Sequence, residues 1–146
     1  MKPRSPLQRL IIAAAVAVAA QWLLSWLFAQ VPGISTLEWQ SRAGVLQAAP
    51  LLATLVAMGL GGWMAGYRFV GVAVVINLLL WLMTLLVLAR LNATLEQGTL
   101  PHHLVRALRF NLPGILGGVA VAALGAATGA WLRQRRVASR LPASPP

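Results

Sequence analysis

The chain has 146 residues, 59% of them hydrophobic and 10% charged, with a mean hydropathy of +0.76. Soluble globular domains carry about 25% charged residues, so an ordinary soluble domain is excluded. There are 12 Lys+Arg against 2 Asp+Glu and no Cys, which excludes disulfides, thiolate catalysis and Cys-based zinc or iron–sulfur sites.

Four apolar stretches follow one another: 10–31, 43–67, 69–89 and 110–132, none containing Asp, Glu, Lys, Arg or His. A bilayer core of roughly 30 Å needs about 20 apolar residues in helical form. Backbone exposed to lipid must satisfy its own hydrogen bonds, which predicts four helices. The expected fold is therefore all-α and integral to the membrane: four transmembrane helices in an antiparallel bundle, filling one domain over 10–132. Residues 1–9 form a basic lead. The first stretch begins like a signal peptide, with small residues at Val18-Ala19-Ala20. Its apolar run continues through Trp22, Trp26 and Phe28, which favours an uncleaved helix.

Pro32-Gly33 ends the first helix, and 33–42 reads as an outer loop. Pro50 lies near the start of the second helix, where a kink is expected. Tyr67-Arg68 is a tight turn, so the second and third helices are expected to pack as an antiparallel hairpin. Arg90 closes the third helix. Pro113 suits an early position in the fourth. Residues 133–146 read as a basic, Pro-rich tail. Leu60–Tyr67 aligns weakly with Leu124–Trp131 in small residues and a terminal aromatic, as a duplicated helical hairpin would.

Four crossings divide the basic residues unequally. Lys2, Arg4, Arg9, Arg68, Arg133, Arg135, Arg136 and Arg140 fall on one side; Arg42, Arg90, Arg106 and Arg109 fall on the other, with Glu38 and Glu96. The excess of eight against four puts both termini in the cytoplasm of a bacterial inner membrane by the positive-inside rule. It accounts for the net charge of +10 without nucleic acid. Phe28, Trp39 and Phe110 are expected at the outer boundary, and Trp63, Tyr67, Phe69 and Trp131 at the inner one.

The most prominent pattern is small residues at helical spacing. Gly114, Gly118, Ala122, Gly125 and Gly129 fall within roughly 80° on a helical wheel. Gly59, Gly62 and Gly66 share a face of the second helix. Such faces let helices approach closely, either within the chain or against a second copy or another membrane protein. The polar residues inside the apolar stretches are Gln21, Ser25, Gln47, Thr54, Asn77, Thr84 and Thr128. Of these, Gln21, Asn77 and Thr84 could bridge helices or line a path for a neutral solute.

Segment 101–112 reads as a cationic amphipathic helix on the outer membrane surface, with His102, His103, Arg106 and Arg109 on its polar face. Its histidines could make lipid contact pH-dependent near about pH 6.5. These four residues, with Arg133, Arg135 and Arg136, are candidate contacts for lipid headgroups. Asn92-Ala93-Thr94 is a chance-level glycosylation sequon.

Charged side chains within membrane helices mark proton relays and charged-substrate sites, and these helices have none. A small-multidrug-resistance transporter would carry a Glu in its first helix; here that helix has Gln21. No cofactor, metal set or catalytic group is indicated. The Gly61-Gly62-x-x-Ala65-Gly66-x-Arg68 run, with a Gly-rich last helix ending in Arg, resembles small four-helix bacterial membrane proteins of the YrzE type. That resemblance spans 51–133 and implies architecture, with no activity to carry over. The expected function is a non-enzymatic accessory or assembly subunit associating through its glycine faces. The alternative is an oligomeric channel or carrier for a neutral small solute, and the third a holin-like lesion former.

Overall fold

The computed structural model describes residues 5–34, 37–41, 44–95 and 99–139. Lys2, Arg4, Arg42, Glu96 and Arg140, which carry part of the charge asymmetry, lie outside the described residues, as does the tail beyond Arg140. Four helices, α1 (Pro6–Ala29), α2 (Ala48–Ala65), α3 (Phe69–Leu95) and α4 (Leu100–Ala138), form the body of the protein. A small antiparallel hairpin, β1 (Glu38–Ser41) and β2 (Gly44–Gln47), joins α1 to α2. All four helices are long and apolar enough to cross a membrane.

The basic lead is partly helical. Ser5 caps α1, its hydroxyl accepting from the Gln8 amide while the Gln8 side chain accepts from the Ser5 amide. With Pro6 in the first turn, this is a capping box that starts the helix four residues before the apolar run. Segment 33–42, expected as a loop, contains β1, and the expected start of the second helix is β2. Glu38 pairs with Gln47 and Trp39 with Leu46 across the hairpin. The Ala48 amide donates to the Leu37 carbonyl at 3.0 Å, closing its base. Pro50 therefore sits in the first turn of α2, where its missing amide breaks no helical bond.

α4 departs most from expectation. The amphipathic segment 101–112 and the apolar segment 110–132 form one helix of 39 residues, about 58 Å long at 1.5 Å per residue. It runs through Pro113, and Arg133, Arg135 and Arg136 continue it rather than beginning a tail. The Asn111 side chain donates to the Ala107 carbonyl. The hairpin packs against the same stretch, with Gly44 facing the Phe110 carbonyl and the Pro113 ring. Gly44 has φ +141°, and a Cβ there would collide with that carbonyl.

α1 packs on α2 and α3 on α4, and the two pairs join where α2 meets α4. The expected close hairpin of the second and third helices does not form. The small-residue face of α2 is taken by α4, so α2 and α3 touch mainly around their turn. Gly66 makes that turn, with φ 78° and ψ −163°, a region essentially restricted to glycine. The Phe69 ring, expected at the membrane boundary, is fully buried against Gly61. With Ala13, Ala17, Met58, Ala73, Ala122 and Ala126 it forms a core to which every helix contributes.

Candidate functional site

The glycine faces are filled within the chain. A Cβ on Gly62 would collide with the Ala126 carbonyl of α4, and one on Gly129 with the Gly59 carbonyl of α2. At Gly125 it would stand 2.5 Å from the Leu55 carbonyl. These glycines bring the α2 and α4 backbones into contact, as small residues do where dispersion holds helices together. Gly59 is less constrained, at 3.5 Å from the Gly125 carbonyl. Gly66 serves the turn rather than the contact. The expectation that these faces recruit a partner meets a physical obstacle, since each is covered by another helix of the same chain.

Gly114 and Gly118 do something else. They turn toward α3, where a Cβ would lie 2.9 Å from the Trp81 ring at Gly114. At Gly118 it would lie 2.9 Å from Trp81 Nε1 and 3.0 Å from Asn77 Oδ1. Their missing side chains make room for Trp81 and Asn77, beside a cleft of about 290 Å³ bordered by all four helices. Gln21 reaches it from α1, Pro50, Leu51 and Thr54 from α2, and Asn77, Trp81 and Thr84 from α3. Gln47 stands at its edge, donating to the Glu38 carboxylate at 2.8 Å. A smaller adjoining space, lined by Val45, Leu46, Trp81 and Gly114 among others, extends the cleft toward the hairpin.

The hydrogen bonds of the cleft are incomplete. Gln21 Nε2 donates to Thr54 Oγ1 at 2.7 Å, and Thr54 Oγ1 donates to the Pro50 carbonyl at 2.8 Å. That chain ties α1 to α2. Gln21 Oε1 and Asn77 Oδ1 are both buried, and among the described residues neither has a hydrogen-bond partner. Asn77 is only 3% exposed. A buried carbonyl left unpaired costs about 1–3 kcal/mol. Two amide groups in the cleft lining thus keep unused acceptor capacity. Thr84 is exposed at the rim, and its hydroxyl is spent on the Leu80 carbonyl of its own helix. Thr128 likewise bonds the Leu124 carbonyl. Neither is the buried group that the sequence suggested.

The cationic half of α4 is also rearranged. His103 and Ala107 are buried against the rest of the protein, while His102, Arg106 and Arg109 are exposed. His103 therefore leaves the expected lipid-facing set. The inward face of this segment continues through Gly114 and Gly118, which explains why it docks instead of lying apart. His102, Arg106 and Arg109 border an open groove of about 730 Å³ with Phe110 and Pro113. Arg133, Arg135 and Arg136 gather at the opposite end of α4.

Compared with protein-family models, with curated proteins and with solved structures, the chain finds no match. The YrzE-type likeness therefore rests on glycine spacing alone. The cleft brings polar groups from separate helices together; the other buried polar side chain among the described residues is His103.

Proposed function

We propose that the protein is a non-enzymatic, multi-pass protein of the bacterial inner membrane, with both termini cytoplasmic, that binds and passes a small neutral solute. The observation that carries this reading is the Asn77 carbonyl, buried and without a partner among the described residues, on a side chain that lines a cleft shared by all four helices. A volume of about 290 Å³ lies at the lower end of the roughly 300–1,000 Å³ of small-molecule pockets. The fitting solute has few heavy atoms and supplies N–H or O–H donors, as short amides, urea and polyols do. An ion would lose its hydration without meeting a counter-charge among the cleft-lining side chains of the four helices.

The accessory-subunit reading loses the glycine faces as its surface. Flux measurements separate the two. Purified protein in liposomes should accelerate entry of urea, acetamide or glycerol, read by stopped-flow light scattering. Gly118→Ala, which pushes a methyl group toward Asn77 and Trp81, should slow it. Vesicles no faster than protein-free controls would sink the solute reading. Recovery of a stoichiometric membrane partner in native purification would then restore the accessory role.

A further inference from the structure

The end of the bundle opposite the hairpin carries Arg9 near the start of α1, Arg68 in the α2–α3 turn, and Arg133, Arg135 and Arg136 near the end of α4. Among the described residues the one carboxylate is Glu38, in the hairpin at the far end. Here α1, α2 and α4 leave a notch of about 520 Å³ lined by Arg9, Ile12, Trp63, Met64 and Arg133. Two of its five lining residues are cationic and three are apolar.

The arginines are held by neutral groups. Arg133 Nη1 donates at 3.1 Å to the Met64 carbonyl, which lies in the last turn of α2 where helical donors run out. The Arg136 guanidinium lies 4.5 Å from the centroid of the Trp63 ring, and Arg135 lies 3.9 Å from that of Trp131. A carbonyl and an indole face position a guanidinium while leaving its positive charge uncancelled. Arg133 is half-buried, so its remaining donors are already oriented. A guanidinium is planar and matches two oxygens of a phosphate at once.

We propose that this notch binds the phosphate of an anionic lipid headgroup. Arg9 and Arg133 donate to the phosphate oxygens from opposite walls, and Ile12, Trp63 and Met64 flank the glycerol and first acyl carbons. The apolar walls favour a lipid over free phosphate. The inference needs the bilayer placement but not the solute reading, because the notch and the polar cleft share no residue.

Native mass spectrometry of protein in neutral detergent, with phosphatidylglycerol or phosphatidylcholine added, tests it. Phosphatidylglycerol should be retained in preference. Arg9→Gln, which leaves the Arg133–Met64 bond in place, should reduce retention about fivefold, the factor expected for one arginine near a lipid phosphate. Arg9→Gln with Arg133→Gln should abolish the preference. Arg68→Gln with Arg90→Gln, an equal charge loss outside the notch, should preserve it. Inorganic phosphate should not displace the lipid. Equal loss in both double variants would reduce the effect to net charge and overturn the proposal. Equal retention of phosphatidylcholine, or displacement by inorganic phosphate, would overturn it as well.

Discussion

Adding a single methyl group to α2 should have opposite consequences three residues apart. Gly59 and Gly62 lie in the same helix, and replacing either with Ala gains the same helix propensity, about 1 kcal/mol. Their surroundings differ. At Gly59 the new Cβ would sit 3.5 Å from the Gly125 carbonyl, an ordinary contact. At Gly62 it would lie 2.8 Å from the Ala126 carbonyl carbon and 2.9 Å from its Cα, and overlap the carbonyl oxygen itself. Those atoms are backbone, so no rotamer change relieves the overlap, and α2 must move off α4. Overpacking of a close-packed interior costs roughly 1–3 kcal/mol. Because the propensity gain is common to both, that cost is the expected stability difference between Gly62→Ala and Gly59→Ala. At about 2–4 °C per kcal/mol for a chain somewhat longer than this one, the two midpoints should differ by roughly 2–12 °C. Thermal unfolding in one detergent, followed by circular dichroism, reads the difference directly. Equal midpoints, or a more stable Gly62→Ala, would refute the α2–α4 contact as drawn.

Gly66→Ala places a side chain at φ 78°, ψ −163° and should cost about 1–3 kcal/mol, seen as a lowered midpoint in the same assay with no loss of helix content. Asn77→Leu removes a buried carbonyl that has no partner among the described residues; it should leave the fold as stable or raise its stability by about 1 kcal/mol, while solute flux is lost. A strongly destabilised Asn77→Leu protein would instead mean that Asn77 holds helices together. Ser5→Ala breaks the capping box and should cost about 1 kcal/mol, read as increased hydrogen exchange confined to the first turn of α1.

The four helices were legible because membrane length and missing charge are properties of a whole window, insensitive to any one residue. Helix pairing was legible only in part. Hydropathy is nearly uniform around α1, α2 and α3, so the small-residue faces were the remaining signal, and they marked surfaces of close approach without naming the partner. They said nothing to keep α2 and α3 apart, because a short turn permits two helices to pack without requiring it. The β hairpin escaped because its strands have four residues each. Its connecting Arg42-Ala43 pair lacks the Asn-Gly chemistry that announces a tight turn, and Val45-Leu46 merges into the apolar run of α2. The continuity of α4 was hidden by Pro113, which by itself reads as a helix start. Gln21 and Asn77 stood out as amides in apolar stretches. Trp81, Gly114 and Gly118 did not stand out as their neighbours, since that proximity exists only after α3 and α4 pack.

Interhelical hydrogen bonds alone do not account for the cleft. A bridging amide should spend its hydrogen bonds on the neighbouring helix, as Gln21 Nε2 does with Thr54. Asn77 Oδ1 and Gln21 Oε1 are not spent in that way, and each retains a burial cost that an apolar side chain would avoid. The glycines opposite sharpen the point. At Gly125 and Gly129 the absent side chain is used to bring backbones together, whereas at Gly118 the same absence stands over an amide and an indole N–H. One stripe on one helix therefore performs two tasks, meeting the backbone of α2 along one part and seating the Trp81 and Asn77 side chains of α3 along another. If the cleft beside Gly118 serves a solute, Gly118→Ala should impair flux far more than it changes stability. Gly129→Ala should lower stability, with flux falling only in proportion to the folded fraction. Equal coupling of flux to stability in the two variants would assign both halves of the stripe to packing.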